Sequence, residues 1–183
     1  MNPFVRTLLD YMLTRNLVFM LFFAVLPAVT ANVTVKQSFT AGLKWAAAIL
    51  CGMLAAAAWL AVLPDGAGFL FPAGVLLLTL LIVRWLTAWG LCDGEWAGMP
   101  RSVLAYVPLA GSMLPVQADA LAGLDAVAAA LGAAIGVYLA LVIVIALIEQ
   151  IRISEAPAPC RRIGILFLAI GLFALAFAGF QFF

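Results

Sequence analysis

Long apolar runs, separated by short polar stretches, make up most of the chain. Six runs can be drawn. The first goes from about Leu8 to Val29. The second goes from about Phe39 to Val62 and ends at the turn LPDGAG. The third goes from about Phe69 to Leu91, and the fourth, shorter, from about Ser102 to Val116. The fifth goes from about Ala126 to Ile148, and the sixth from Ile163 to Phe183. A helix needs ~20 apolar residues to cross the hydrocarbon of a bilayer. Runs two, three, five and six are long and strongly apolar. The pattern predicts an all-α integral membrane protein with six transmembrane helices, forming a single membrane domain over residues 1–183.

Runs one and four differ from the others. Each holds a Leu-Pro step, Leu26-Pro27 in FFAVLPAVT and Leu114-Pro115 in AGSMLPVQA. Proline lacks the backbone N–H and its ring crowds the preceding turn, so a helix is expected to break or kink there. Gly111 and Ser112 add a weak point just upstream of the second step, and Pro108 lies in the same run. A broken helix at membrane depth is tolerated only against protein or a watery cavity. The two steps lie 88 residues apart, close to half the chain. Three spans per half give the halves opposite orientation in the membrane. The expectation is a 3+3 inverted repeat, with halves of about 1–92 and 93–183 and with broken first and fourth helices.

Composition agrees with the pattern and removes several functions. The chain has 183 residues, of which 68% are hydrophobic and 9% charged. A soluble domain of this size carries about a quarter charged residues. The net charge of +1 gives no electrostatic footprint for nucleic acid. Histidine is absent, which removes His-ligated haem, His-containing zinc sites and the commonest general base. The three cysteines, Cys51, Cys92 and Cys160, form no CxxC pair. Cys51 reads as a small buried residue. Cys92 and Cys160 share one expected face, but two thiolates alone complete neither a cluster nor a zinc site. A cleaved signal peptide ending at VTAN is the alternative for the first run; an uncleaved span is preferred because five more follow.

Charge placement gives an orientation. The loops after spans one, three and five hold Lys36, Lys44, Arg101, Arg152, Arg161 and Arg162. The other face holds Arg6 and Arg15 with Asp10, Asp65, Asp119 and Asp125. Positive charge marks the cytoplasm, so both termini are expected on the outer, periplasmic side. Arg84 sits inside the third span, in LLIVRWLTAW. It reads either as a side chain snorkelling to the interface or as a buried charge with a partner. Trp45, Trp59, Trp85 and Trp89 fall near span ends and read as an interfacial belt. Asp93, Glu95, Asp119 and Asp125 read as solvated loop acids. No nucleophile–base pair or phosphate loop stands out, so no residue set argues for catalysis by this chain alone.

Several runs resemble one family. EAPAPCRRIGILFLAIGLFALAFAGF, Glu155 to Phe180, resembles the loop and last helix of the A subunit of Rnf electron-transport complexes. It is also similar to the counterpart in the Na⁺-translocating NADH:quinone reductase, Nqr. RSVLAYVPLAGSMLP resembles the family's fourth span, and NLVFMLFFAVLPAVT its first. The resemblance implies a membrane subunit of a redox complex that can translocate ions, set in the bacterial inner membrane. It implies other membrane subunits as partners, including a homologue of opposite orientation. In the family, each of these two subunits supplies two cysteines, one per broken helix, to a shared [2Fe–2S] cluster. Here those places hold Leu26 and Leu114, and leucine has no lone pair to give iron. The resemblance therefore implies a cluster-free, diverged scaffold that binds no cofactor itself. Two leucines there would fill the centre with apolar volume and keep it dry.

Other readings stay open. A small secondary transporter also suits inverted repeats and broken helices, but it needs polar groups at mid-membrane. Near the breaks the chain offers Thr30, Ser112 and, further out, Gln117. A structural accessory of another membrane oxidoreductase or of a photosynthetic assembly is the third reading. In every case the Ala- and Gly-rich runs AAAILCGMLAAAA and AVAAALGAAIG supply faces on which helices pack closely.

Overall fold

The computed structural model describes residues 3–15, 35–64, 67–90, 95–96, 99–153 and 164–179. The chain opens with α1, Pro3–Leu9, which continues into a π-helical turn, Asp10–Thr14. No proline interrupts the sequence from Ala28 to Leu63, and Val35–Val62 forms one helix, α2. A 3-10 turn, Gly68–Leu70, leads into α3, Phe71–Ala88, with Pro72 in the first turn where its missing N–H costs nothing. Two short strands, β1 (Glu95–Trp96) and β2 (Met99–Pro100), pair antiparallel before α4, Arg101–Ala118. Helix α5, Gly123–Ile153, is the longest among the described residues, and α6 runs from Gly164 to Ala178.

The described protein is thus helical throughout, apart from the β1–β2 pair. Among the described residues, three stretches are long and apolar enough to cross a membrane: Gly42–Val62, Gly68–Ala88 and Gly123–Leu147. They match expected runs two, three and five. Most of the first run, including Leu26 and Pro27, lies outside the described residues.

Run four departs from expectation. Helix α4 does not end at Leu114-Pro115; it passes through Pro108 and Pro115 and stops at Ala118. Each proline removes one helical hydrogen bond, to the carbonyl four residues earlier. The helix ends instead at a cap. The Leu121 N–H donates to the Val116 carbonyl at 3.0 Å, and the Ala120 N–H to that of Gln117 at 3.2 Å. This is the Schellman arrangement, with Ala120 at the left-handed position, φ 47°. Leu121 and Val116 are both buried, as its apolar contact requires.

The core lies along α2 and α5, which pack against each other over most of their length. Helix α1 and its π-turn pack on α5, α4 packs on α2 and α3, α3 packs on α2, and α6 packs on α5. The buried residues of α5 include Ala126, Ala129, Ala130, Ala133, Val137 and Ala140, a stripe with helical spacing. Gly132 lies where α1 presses on this helix. A Cβ there would meet the Leu8 carbonyl oxygen at 2.4 Å, so no side chain fits without moving backbone. Two polar contacts tie helix ends together. Gln117 Nε2 donates to the Gly68 carbonyl at 3.0 Å, and Lys44 Nζ to the Trp89 carbonyl at 3.3 Å. The C-terminal end of α4 therefore sits beside the start of α3, and the start of α2 beside the end of α3.

Gly132→Ala should lower stability by about 1–3 kcal/mol, because the clash is with backbone. Gly171→Ala, where a Cβ meets open space, should leave stability unchanged or raise it. Thermal unfolding of both proteins in one detergent tests the pair. Ala120→Gly should raise the midpoint, since glycine takes the left-handed cap without the ~1–2 kcal/mol that a Cβ costs there; an unchanged midpoint would argue against this helix end.

Candidate functional site

The residues around the second Leu-Pro step lie on α4 and face two ways. Ser112 and Met113 are fully buried. Met113 seats against Gly52 of α2, where a Cβ would stand 2.6 Å from the Met113 methyl carbon. Leu114 points the opposite way and is 49% exposed, and Pro115 is half-buried. The expected dry, leucine-filled centre is therefore not what Leu114 builds. Methionine and glycine close the interior at this level, and Leu114 lies on the outer surface of α4 with Val107. The chain gives no thiolate at this step, so the residues do not fit a cluster ligand there.

Polar side chains in the helix interiors are turned inward on themselves. Ser112 Oγ donates to the Leu109 carbonyl at 2.7 Å, and Thr79 Oγ1 to the Leu76 carbonyl at 2.8 Å. Both side chains are fully buried, and their own helices supply the bonds that water would give elsewhere.

A polar network sits at the end of α4, and sequence reasoning missed it. Tyr11, in the π-turn, is buried against α5, and its hydroxyl donates to Asp119 Oδ2. Arg15 Nη1 donates to the same oxygen, and Arg15 Nε lies 3.1 Å from Asp10 Oδ2. The Arg15 guanidinium also stands 5.7 Å from the centre of the Tyr11 ring. The Tyr11 hydrogen bond holds the Asp119 carboxyl below its ordinary range. Partial desolvation opposes that shift, and the hydrogen bond and charge of Arg15 add to it. Asp119 is thus not a free loop acid. It joins residues more than 100 positions away, and no local pattern announces such a pair.

The remaining candidates fall into place separately. Arg84 is exposed, one turn from the end of α3. Trp85 and Trp89 are exposed beside it, their ring centres 3.9 Å apart. Trp59 is also exposed, but Trp45 is buried in the core and leaves the expected belt. Cys51, expected to be buried, is exposed. Cys92 and Cys160 lie outside the described residues.

No family model matches the chain. It is 34% identical over 58 residues to the A subunit of the proton-translocating ferredoxin:NAD(+) oxidoreductase complex of Clostridium ljungdahlii. The match covers 32% of this chain and 30% of that protein, a distant relationship over about a third of each.

The network makes a pH prediction. The folded-state pKa of Asp119 lies below its unfolded value, so its stabilising contribution is complete above the unfolded pKa. It is lost as the pH falls through the lower, folded value. Tyr11→Phe should cost about 1 kcal/mol at neutral pH. It should also weaken the loss of stability on acidification, as read by thermal unfolding across the acid range. An unchanged acid limb would separate Asp119 from Tyr11.

Proposed function

We propose that this protein is an integral membrane component of an Rnf-type electron-transport complex, built as a 3+3 inverted repeat and giving no ligands to a cluster. The similarity to the A subunit of the ferredoxin:NAD(+) oxidoreductase complex carries the first part. The helix contacts support the repeat. Exchanging α1 with α4, α2 with α5 and α3 with α6 turns α2–α5 into itself and α1–α5 into α4–α2. The same exchange turns α3–α4 into α6–α1, through the π-turn, and α2–α3 into α5–α6. The main helix contacts thus map onto one another.

The helix-end contacts support a threading in which successive helices alternate in direction. The start of α2, the end of α3 and the end of α5 then share one face, and that face carries the Lys and Arg excess. It is cytoplasmic, and both termini face outward. Leu114 lies on a surface that a homologous partner of opposite orientation would cover. In this reading the scaffold is retained, the ligand positions hold leucine, and electrons pass through cofactors of neighbouring subunits. The transporter reading gains nothing from the site, because Ser112 and Thr79, the fully buried polar side chains among the described residues, are spent on their own helices.

Purification of the tagged chain from native membranes tests the proposal. Flavin-bearing and iron–sulfur subunits should co-purify in fixed ratio, together with a homologous multi-span chain. Recovery as a lone, monodisperse protein would overturn it. The isolated chain should contain no stoichiometric iron and give no [2Fe–2S] signal by electron paramagnetic resonance; such a signal would overturn the cluster-free part alone.

A further inference from the structure

We propose that the C-terminal end of α3 binds one anionic phospholipid, its phosphate held by Arg84 and Lys44 at the level of the paired rings of Trp85 and Trp89. The stretch Gly68–Ala88 has 21 residues, which at ~1.5 Å per residue is about the thickness of the hydrocarbon. Arg84 lies four residues inside its end and is exposed on the outside of the helix. A bare guanidinium at that depth is costly, and its long stem lets it reach headgroup level. The Arg15 ion pairs with Asp10 and Asp119 lie at the opposite face, so those carboxylates do not serve Arg84.

Lys44 brings a second cation to the same end. Its ammonium donates to the Trp89 carbonyl at 3.3 Å, which fixes it at the end of α3. An ammonium has three donors, and this bond uses one. Trp85 and Trp89 lie at the same helix end, ring planes tilted by 45° and both rings partly exposed, as aromatic side chains are at the interface. Toward the membrane interior, Leu76, Leu77, Leu80 and Leu81 of the same helix are all exposed and offer an apolar surface for acyl chains. Two cations above, aromatic rings at the boundary and leucines below reproduce the charge profile of a phospholipid that carries net negative charge. A zwitterionic lipid offers the same phosphate but brings its own cation, and so satisfies only part of this arrangement. Basic clusters between helices on the positive face are where anionic headgroups bind.

The test compares the detergent-purified chain with added phosphatidylglycerol, phosphatidylcholine or inorganic phosphate. Thermal unfolding reads stabilisation, and native mass spectrometry reads bound lipid. Phosphatidylglycerol should stabilise and remain bound, while the other two should not. Arg84→Gln and Lys44→Gln should each lower phosphatidylglycerol occupancy about fivefold, and Arg84→Lys should retain most of it. Equal effects of both lipids, or an equal effect of free phosphate, would overturn the proposal. So would unchanged occupancy in both glutamine variants. If a glutamine variant does not fold, the lipid preference of the unaltered protein decides on its own.

Discussion

The packing of α2 on α5 is the contact on which the rest of the structure hangs. In a bilayer, lipid tails are as apolar as leucine, so burial of apolar surface does not drive helices together. What remains is close fit, and small side chains provide it. Helix α5 turns a stripe of alanines into the core, and α2 answers with Ala48, Ala56 and the larger Trp45, Ile49 and Met53. Every other described helix packs on one of these two. Helix α1 uses the bare backbone at Gly132, and α4 uses the gap at Gly52. A bulkier seam would move both of those contacts at once.

The membrane also dictates where polar atoms go. Without water, a buried hydroxyl must find its partner within the protein. Thr79 and Ser112 find theirs one turn back on the same helix. The ionisable groups are pushed to the ends. Tyr11, Arg15 and Asp119 meet at one face, and Lys44 and Arg84 stand at the other. A described interior with two self-satisfied hydroxyls and no charge offers little to bind a substrate or relay a proton.

The long helices were legible in the sequence because length and hydropathy alone define them. Runs two, three and five return as α2, α3 and α5 with modest shifts at their ends. Which side of each helix faces protein was not legible. A soluble helix shows its buried face by contrast with a polar one, but a helix apolar all round shows no such contrast. Trp45 and Cys51 therefore sit on the sides opposite to those expected: Trp45 is in the core and Cys51 outside it. The end of α4 differs from expectation for another reason. Proline weighs against a helix, but α4 runs through both prolines while packed on α2 and α3 and ends only at the cap of Ala120 and Leu121. The Tyr11–Asp119 pair was invisible because it depends on tertiary placement of residues 108 positions apart.

On the proposed reading, the direction in which Leu114 points lets such a scaffold outlast its ligands. Had the residue faced inward, replacing a thiolate by leucine would have forced the core at Met113 and Gly52 to repack, at a cost of about 1–3 kcal/mol. Facing outward, the change leaves the α2–α4 packing untouched. On the proposed reading, it converts a ligand position into contact surface for a neighbouring chain. In lipid that surface gains little from being apolar and much from fitting closely. On that same reading, electron transfer and assembly are separable properties of one helix, because residue 114 stands apart from the packing inside this chain.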